Sequence, residues 1–276
     1  NPDSMALPPW LENALERGCD FCFRHWPQPF PDAQLLRECR IVAHRGAPVP
    51  PAILENTRAA FERALSHPGV NGLEFDVRWT QDLQPVVFHD ADLLRLYGDS
   101  RRIAEFTLSG LQQAFPDIPT LASVLERYGS RAHLMVELKD EPYPDVERQN
   151  RIFAEHFAGL TPKQDFHILG LSPEFLRKTV TFVERDACLL VAVFNEPELS
   201  AAALSGGFAG LGGHYLLVTS KLARGHLAAG QMVGTGYPDS RNCLFRELNR
   251  GVKWLFSNDP LGLAVIREQA LQEIGG

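Results

Sequence analysis

Long apolar segments are missing from this chain. A bilayer-spanning helix needs ~20 consecutive apolar residues, and the longest apolar runs here, such as Cys188–Phe194, fall far short of that. Cysteine is scarce: five in 276 residues (Cys19, Cys22, Cys39, Cys188 and Cys243) are odd in number and too few for a secreted disulfide framework. Basic residues are outnumbered, 27 Lys and Arg against 34 Asp and Glu. The resulting net charge of −7 argues against nonspecific nucleic-acid binding, which draws on basic surface. The opening residues, Asn1-Pro2-Asp3-Ser4-Met5, lack the basic and apolar regions of a signal peptide. The expected location is cytoplasmic, with residues 1–4 left over from expression and Met5 as the natural start. The expected partner is a small molecule, with no nucleic acid and no integral membrane segment.

What is present is ordinary globular material, 45% hydrophobic and 22% charged, enough to bury a large core. Residues 1–39 read as a helical extension. Leu7, Leu11, Leu15, Cys19 and Phe23 recur every four residues, with Cys22 and Trp26 alongside, which is one apolar stripe of a helix. The Cys19-x-x-Cys22 pair lacks a second, properly spaced pair, so it reads as packing rather than as a zinc or redox site.

From Arg40 onward, strand-like and helix-like runs alternate. Strands are predicted at Ile41–Ala43, Gly72–Val77, His133–Leu138, Phe166–Leu169, Cys188–Phe194, Tyr215–Val218, Gln231–Gly234 and Lys253–Phe256. Helices are predicted at 57–65, 146–157, 173–183, 198–204, 221–229, 242–250 and 261–274. Eight strands, most followed by a helix, predict an α/β fold: a (β/α)8 TIM barrel over 40–276. A doubly wound open sheet is the alternative, but no Gly-x-Gly-x-x-Gly follows a first strand. One connection is abnormally long, with 56 positions from Val77 to His133. It predicts an insertion after strand 2, about 78–132, with its own short strand at Pro85–Phe88 and a short helix near 108–114.

Strand alternation carries the chemistry. In Gly72–Arg78, period two puts Leu73, Phe75 and Val77 on one face and Glu74 and Asp76 on the other. The same alternation in His133–Lys139 turns Met135, Glu137 and Lys139 inward. Three acids then converge at the C-terminal rim, where desolvation and mutual repulsion would cost several kcal/mol each without a partner. Three resolutions stand side by side: some of the acids are protonated, an interior salt-bridge network using Arg78 and Lys139 neutralises them, or a divalent cation, Mg²⁺ or Ca²⁺, is held by their oxygens. His44 and His89 each end a strand at the same rim, where imidazoles near their neutral-pH pKa serve as acid and base. The remaining histidines, His67, His156, His167, His214 and His226 among them, read as fillers.

The ordered set Ala43-His44-Arg45-Gly46, Glu55-Asn56-Thr57, Glu74-Phe75-Asp76-Val77, Thr80-Gln81-Asp82, Pro85–Asp90, Ile118–Leu121 and Val136–Lys139 resembles the glycerophosphodiester phosphodiesterase family. The likeness is close over 40–139 and looser to Pro260. It implies a metal-dependent (β/α)8 barrel in which Glu74, Asp76 and Glu137 bind the divalent metal. It further implies that His44 and His89 are the acid/base pair and that Arg45 and Lys139 contact phosphate, with Glu55 in support. Asn56 and Thr57 read as N-caps of the next helix. Departures lie at the long His44–Glu55 loop with Pro48, Pro50 and Pro51, at Leu83-Gln84 where the family commonly has glycine, and at Gly234–Pro238 and Ser257–Pro260.

The activity so implied is metal-dependent hydrolysis of glycerophosphodiesters to sn-glycerol 3-phosphate and an alcohol. The competing reading is a related barrel phospholipase D or lyase acting on lysophospholipids, which would favour an apolar rim. Phe106, Phe115 and Tyr97 are compatible with such a rim, or form the insertion's own small core. A noncatalytic barrel is the third reading, and none of the acids or rim histidines is missing to support it.

Overall fold

The computed structural model describes residues 21–275. The predicted helix over 7–23 lies mostly outside them, as do Cys19 and residues 1–4. Residues 21–25 are helical, and Phe23 stacks edge-on against Tyr215 (5.8 Å) beneath the Arg246 guanidinium. Of the other stripe residues among those described, Cys22 and Trp26 are exposed. Polar ties, Asn242 to the Arg24 carbonyl and Asn249 to the Pro29 carbonyl, hold the segment instead.

Helix α1 (Ala33–Glu38) leads into β1 (Arg40–His44). Then come α2 (Arg58–Ala64), β2 (Gly72–Trp79), β3 (Pro85–Val87), β4 (Asp92–Leu93), α3 (Leu94–Tyr97), β5 (Asp99–Arg102), α4 (Leu108–Ala114) and α5 (Leu121–Tyr128). The chain continues through β6 (His133–Leu138), α6 (Val146–Phe157), β7 (Phe166–Gly170), α7 (Pro173–Thr179), β8 (Cys188–Ala192) and α8 (Glu196–Gly206). It ends with β9 (Gly210–His214), α9 (Ser220–Ala228), β10 (Met232–Gly236), α10 (Arg241–Asn249), β11 (Trp254–Ser257) and α11 (Pro260–Gly275). Because β1 pairs in parallel with both β2 and β11, the ring β1–β2–β6–β7–β8–β9–β10–β11 closes into an eight-stranded parallel barrel. β3 lies antiparallel on β2 outside the ring.

The helices start where short polar side chains can take the free amides of the first turn. Thr57, Asp145, Ser172, Thr219 and Ser240 each accept from the amide three residues on, a cap that stabilises by ~1 kcal/mol. Strand alternation then sorts two cores. Ile41, Leu73, Phe75, Val136 and Leu190 face the helices, whereas Val42, Met135, Leu169, Leu189 and Phe256 fill the barrel interior.

Three predictions need correction. Strand 6 is Gly210–His214, not Tyr215–Val218. Its glycines hide the pattern, and the apolar run after it supplies the loop at the barrel mouth. Strand 5 stops at Ala192, leaving Val193 and Phe194 outside the sheet. The helix from Pro173 ends at Thr179 because the Asn150 side chain captures the Thr179 carbonyl and the Thr181 amide. The insertion has a core of its own, with Phe106 in a cluster with Val86, Phe88 and Leu111 and with Tyr97 and Phe115 packed on it. These aromatics are therefore not a rim for a lipid.

Candidate active site

Register builds the site. In the β1–β2 pairing His44 lies opposite Glu74, and in the β2–β6 pairing Asp76 lies opposite Glu137, so the side chains stand on one inward face. Ligand oxygens of Glu74, Asp76 and Glu137 lie within 4.8 Å of one another. His44, Arg45, Glu74, His89, Glu137 and Lys139 all line one cavity at the C-terminal mouth, of about 600 Å³. Asp76 is buried just beneath. Glu55 stands further out, accepting from Arg45 (3.0 Å) and from Arg95 (2.6 and 3.1 Å).

The turn after β1 brings Arg45 back onto the acids. Arg45 and Gly46 take left-handed backbone conformations (φ 58° and 86°), and the Arg45 amide donates to a Glu74 carboxylate oxygen at 3.0 Å. A side chain on Gly46 would meet Ala60 Cβ at 2.8 Å, so this close approach requires glycine. Arg45 Nε lies 3.4 Å from Asp76. Lys139 Nζ bridges Asp76 (2.6 Å) and Glu137. Arg78, the other cation expected in a salt-bridge network, turns away to Glu141 (2.7 Å) and donates to the His89 carbonyl (2.9 Å).

Burial and charge split the acids. Burial, with Asp76 and Glu137 as neighbours, raises the Glu74 carboxyl well above the usual carboxylate range. Burial pushes Asp76 the same way, but Lys139 and Arg45 outweigh it and hold that carboxyl below its ordinary value. For Lys139, burial works against the charge, and Asp76 and Glu137 more than restore it. Among these acids, Glu74 Oε1 is buried with no hydrogen-bond partner. An orphaned, repelled carboxylate oxygen beside two more carboxylates fits a divalent cation, and an all-oxygen donor set suits Mg²⁺ or Ca²⁺.

His44 is held by residues from the last strands. Its Nδ1 donates to Asn258 Oδ1 at 2.7 Å, and its Nε2 lies 3.4 Å from the Tyr237 hydroxyl and 3.8 Å from Glu74. Burial, reinforced by the Arg45 charge, lowers its pKa to about 4, so the ring is neutral at pH 7. His89 is also lowered, chiefly by burial, but its Nδ1 donates to the Asp90 carboxylate at 2.6 Å, a contact that favours the charged ring. Arg95 fixes Asp90 at 2.6 Å.

Sequence reasoning missed Arg95, and it gave Asp90, Tyr237 and Asn258, which lie in segments it singled out, no part in holding the histidines. It also read Asn56 as a helix cap, whereas Asn56 is buried and donates to Asp76 at 2.7 Å; Thr57 is the cap. The signal available for Asn56 was its place in the Glu55-Asn56-Thr57 motif. His214, read as a filler, lines the cavity.

An eight-stranded β/α barrel with an acidic cluster flanked by two imidazoles at its mouth is thus the class of molecule defined here. Residues 44–161 match the model of the Glycerophosphoryl diester phosphodiesterase family, and the chain is related to that family through this stretch. A Bacillus subtilis (strain 168) protein, YhdW, provisionally named for that activity, is 40% identical over 115 residues, 37% of this chain and 45% of YhdW. The chain thus spans about half the length of the curated relatives it matches. Solved structures share the fold. A glycerophosphodiester phosphodiesterase from Thermotoga maritima matches with a TM-score of 0.67 at 21% identity, over 82% of this chain and 97% of that one. An Oleispira antarctica phosphodiesterase in complex with its product sn-glycerol-3-phosphate matches with a TM-score of 0.65 at 22% identity, over 84% and 96%.

Proposed function

We propose that this chain is a metal-dependent phosphodiesterase that hydrolyses glycerophosphodiesters to sn-glycerol 3-phosphate and an alcohol. The observation that carries the reading is the convergence of Glu74, Asp76 and Glu137 within 4.8 Å at the mouth that His44 and His89 also line. The related sequences, and the sn-glycerol-3-phosphate bound to the Oleispira relative, support the substrate class. In this proposal the three carboxylates hold Mg²⁺ or Ca²⁺, and the cation, when bound, offsets negative charge on the phosphodiester.

The chain's own groups do the rest. Arg45 and Lys139 supply donors to the phosphate oxygens, with Glu55 and Arg95 keeping Arg45 in place. Neutral His44, its Nδ1 hydrogen directed to Asn258, presents an unprotonated Nε2, now 3.4 Å from the Tyr237 hydroxyl, to accept the nucleophile's proton. His89, paired with Asp90, donates a proton to the leaving alcohol. The nucleophile is water, or the glycerol 2-hydroxyl followed by water. Residues 40–276 are proposed as the catalytic barrel and 1–39 as its extension.

The test is release of sn-glycerol 3-phosphate from glycerophosphocholine with Mg²⁺, Ca²⁺ or EDTA. Activity with a cation and at least a 10²-fold loss in EDTA is expected. Undiminished turnover in EDTA would remove the metal from the reading.

A further inference from the structure

In the proposed reaction the nucleophile's proton ends on His44 Nε2, and that nitrogen is already engaged. It offers one lone pair, and Nδ1 carries the hydrogen given to Asn258. Polar groups near Nε2 are the Tyr237 hydroxyl at 3.4 Å and a Glu74 oxygen at 3.8 Å. The hydroxyl is the nearer, and with Nε2 unprotonated it is the donor of that contact. Its 3.4 Å is long for a hydrogen bond, as catalytic hydrogen bonds often are before substrate tightens them.

The fold grips this phenol. Tyr237 follows β10 directly, and its ring lies on the His44 imidazole with centroids 4.7 Å apart and meets His214 edge-on at 6.2 Å. It packs as well on the barrel-interior cluster that includes Leu169 and Phe256. Among the residues that line the cavity, Tyr237 carries the one hydroxyl. Burial, and after it the Glu74 charge, raises the phenol above its ordinary range, so it keeps its proton. A proton that leaves this oxygen must therefore be replaced as it goes. A hydroxyl can do both, since it has one hydrogen to give and two lone pairs to accept with. Tyr237 also lies in Gly234–Pro238, where the chain departs from the family pattern, so kinship alone does not predict it.

We propose that Tyr237 is a catalytic residue that relays the nucleophile's proton to His44. The proposal rests on the phosphodiesterase reading and adds a step to its base side. The nucleophile's oxygen bonds to phosphorus as the bond from phosphorus to the leaving oxygen breaks. The nucleophile's proton passes to the Tyr237 oxygen while the Tyr237 hydroxyl proton passes to His44 Nε2. Tyr237 is neutral before and after, His44 becomes charged, and His89 gives its proton to the leaving alcohol.

The test is Tyr237→Phe, which keeps the ring and its packing and removes only the hydroxyl. With the cation-loaded protein, kcat should fall roughly 10–10²-fold while KM stays within about twofold. Turnover of a glycerol diester of p-nitrophenol, whose leaving group needs no proton, isolates the base side. Its rate against deuterium fraction should curve for the unaltered protein, with two protons in flight, and become linear for Tyr237→Phe. In His44→Ala, adding Tyr237→Phe should slow turnover by no more than about twofold, because the relay has already lost its acceptor. Nitrogen NMR without substrate gives a readout apart from turnover: Tyr237→Phe should move the His44 Nε2 resonance and leave Nδ1 nearly in place. Unchanged kcat in Tyr237→Phe, curvature that survives it, or a loss that multiplies with that of His44→Ala overturns the relay and leaves the phosphodiesterase reading standing. No release of sn-glycerol 3-phosphate by the unaltered protein defeats that reading, and the relay with it.

Discussion

His44 and His89 differ in what holds their Nδ1, and in the proposed reaction that difference would give them different tasks. An amide oxygen from Asn258 fixes the His44 tautomer without adding charge, and the pKa of about 4 keeps the ring an acceptor throughout the neutral range. A carboxylate from Asp90 instead supports a charged His89 ring. Alanine at either position should lower turnover by roughly 10²–10⁴-fold with the far-ultraviolet circular dichroism unchanged. The two losses should part company on a diester whose leaving group is p-nitrophenol, which departs without a proton. His89→Ala should regain most of its activity on that substrate and His44→Ala should not; equal recovery would contradict the division of labour. The acids of this site were legible because period-two alternation and a rim position mark them within six or seven residues of sequence. The partners of His44 were not, because Asn258 and Tyr237 lie 214 and 193 residues away and meet it only when β1 closes onto β11.

Among the elements, β9 shows why a strand can escape a pattern search. Gly210, Gly212 and Gly213 have no apolar side chain to alternate, yet their backbone forms full parallel pairings with β8 and β10. Gly210 is required by space: at φ 154° a Cβ there would lie 1.9 Å from the Met232 carbonyl oxygen on the neighbouring strand. At Gly212 the same atom would find ordinary contact, 3.4 Å from Leu189. Gly210→Ala should therefore cost about 3 kcal/mol or more, and Gly212→Ala well under 1 kcal/mol. Urea unfolding reads this as a lower midpoint at constant slope for the first variant only. Elsewhere the period-two and capping signals were strong enough: α6 (146–157) begins and ends where predicted. Leu83 shows a subtler limit, since the position where the family commonly has glycine here holds leucine in the left-handed region (φ 59°). A conformation that favours glycine cannot be read from a sequence that places leucine there.

Over the whole molecule, charge is segregated along the barrel axis. The net −7 would repel an anion, but with a divalent cation bound as proposed, the three carboxylates, Arg45 and Lys139 would sum to a local +1 at the mouth. The opposite, N-terminal end of the barrel is closed by neutral rings. His133 Nδ1 donates to the Gln164 carbonyl at 3.0 Å, so its Nε2 accepts from His167 Nδ1 at 2.8 Å, and Trp254 packs on the His133 ring at 4.7 Å. Burial pushes both imidazoles well below their ordinary 6.5, with the Arg40 charge adding to the effect at His133 and the His133 and Lys163 charges at His167; Asp165 and Asp186 oppose it. The unfolded chain thus binds protons near pH 6.5 that the folded chain refuses until near pH 4. Stability from this pair is complete above pH 6.5 and is lost as pH falls below it. Melting measured by circular dichroism should show Tm lower by roughly 3–6 °C at pH 5 than at pH 7.5. The double variant His133→Asn/His167→Asn, which has nothing to titrate at this end, should melt with a measurably smaller difference, the remainder belonging to His44 and the other buried imidazoles. A variant that keeps the full pH dependence would place its origin in the other buried imidazoles, His44 first, whose pKa burial also lowers to about 4.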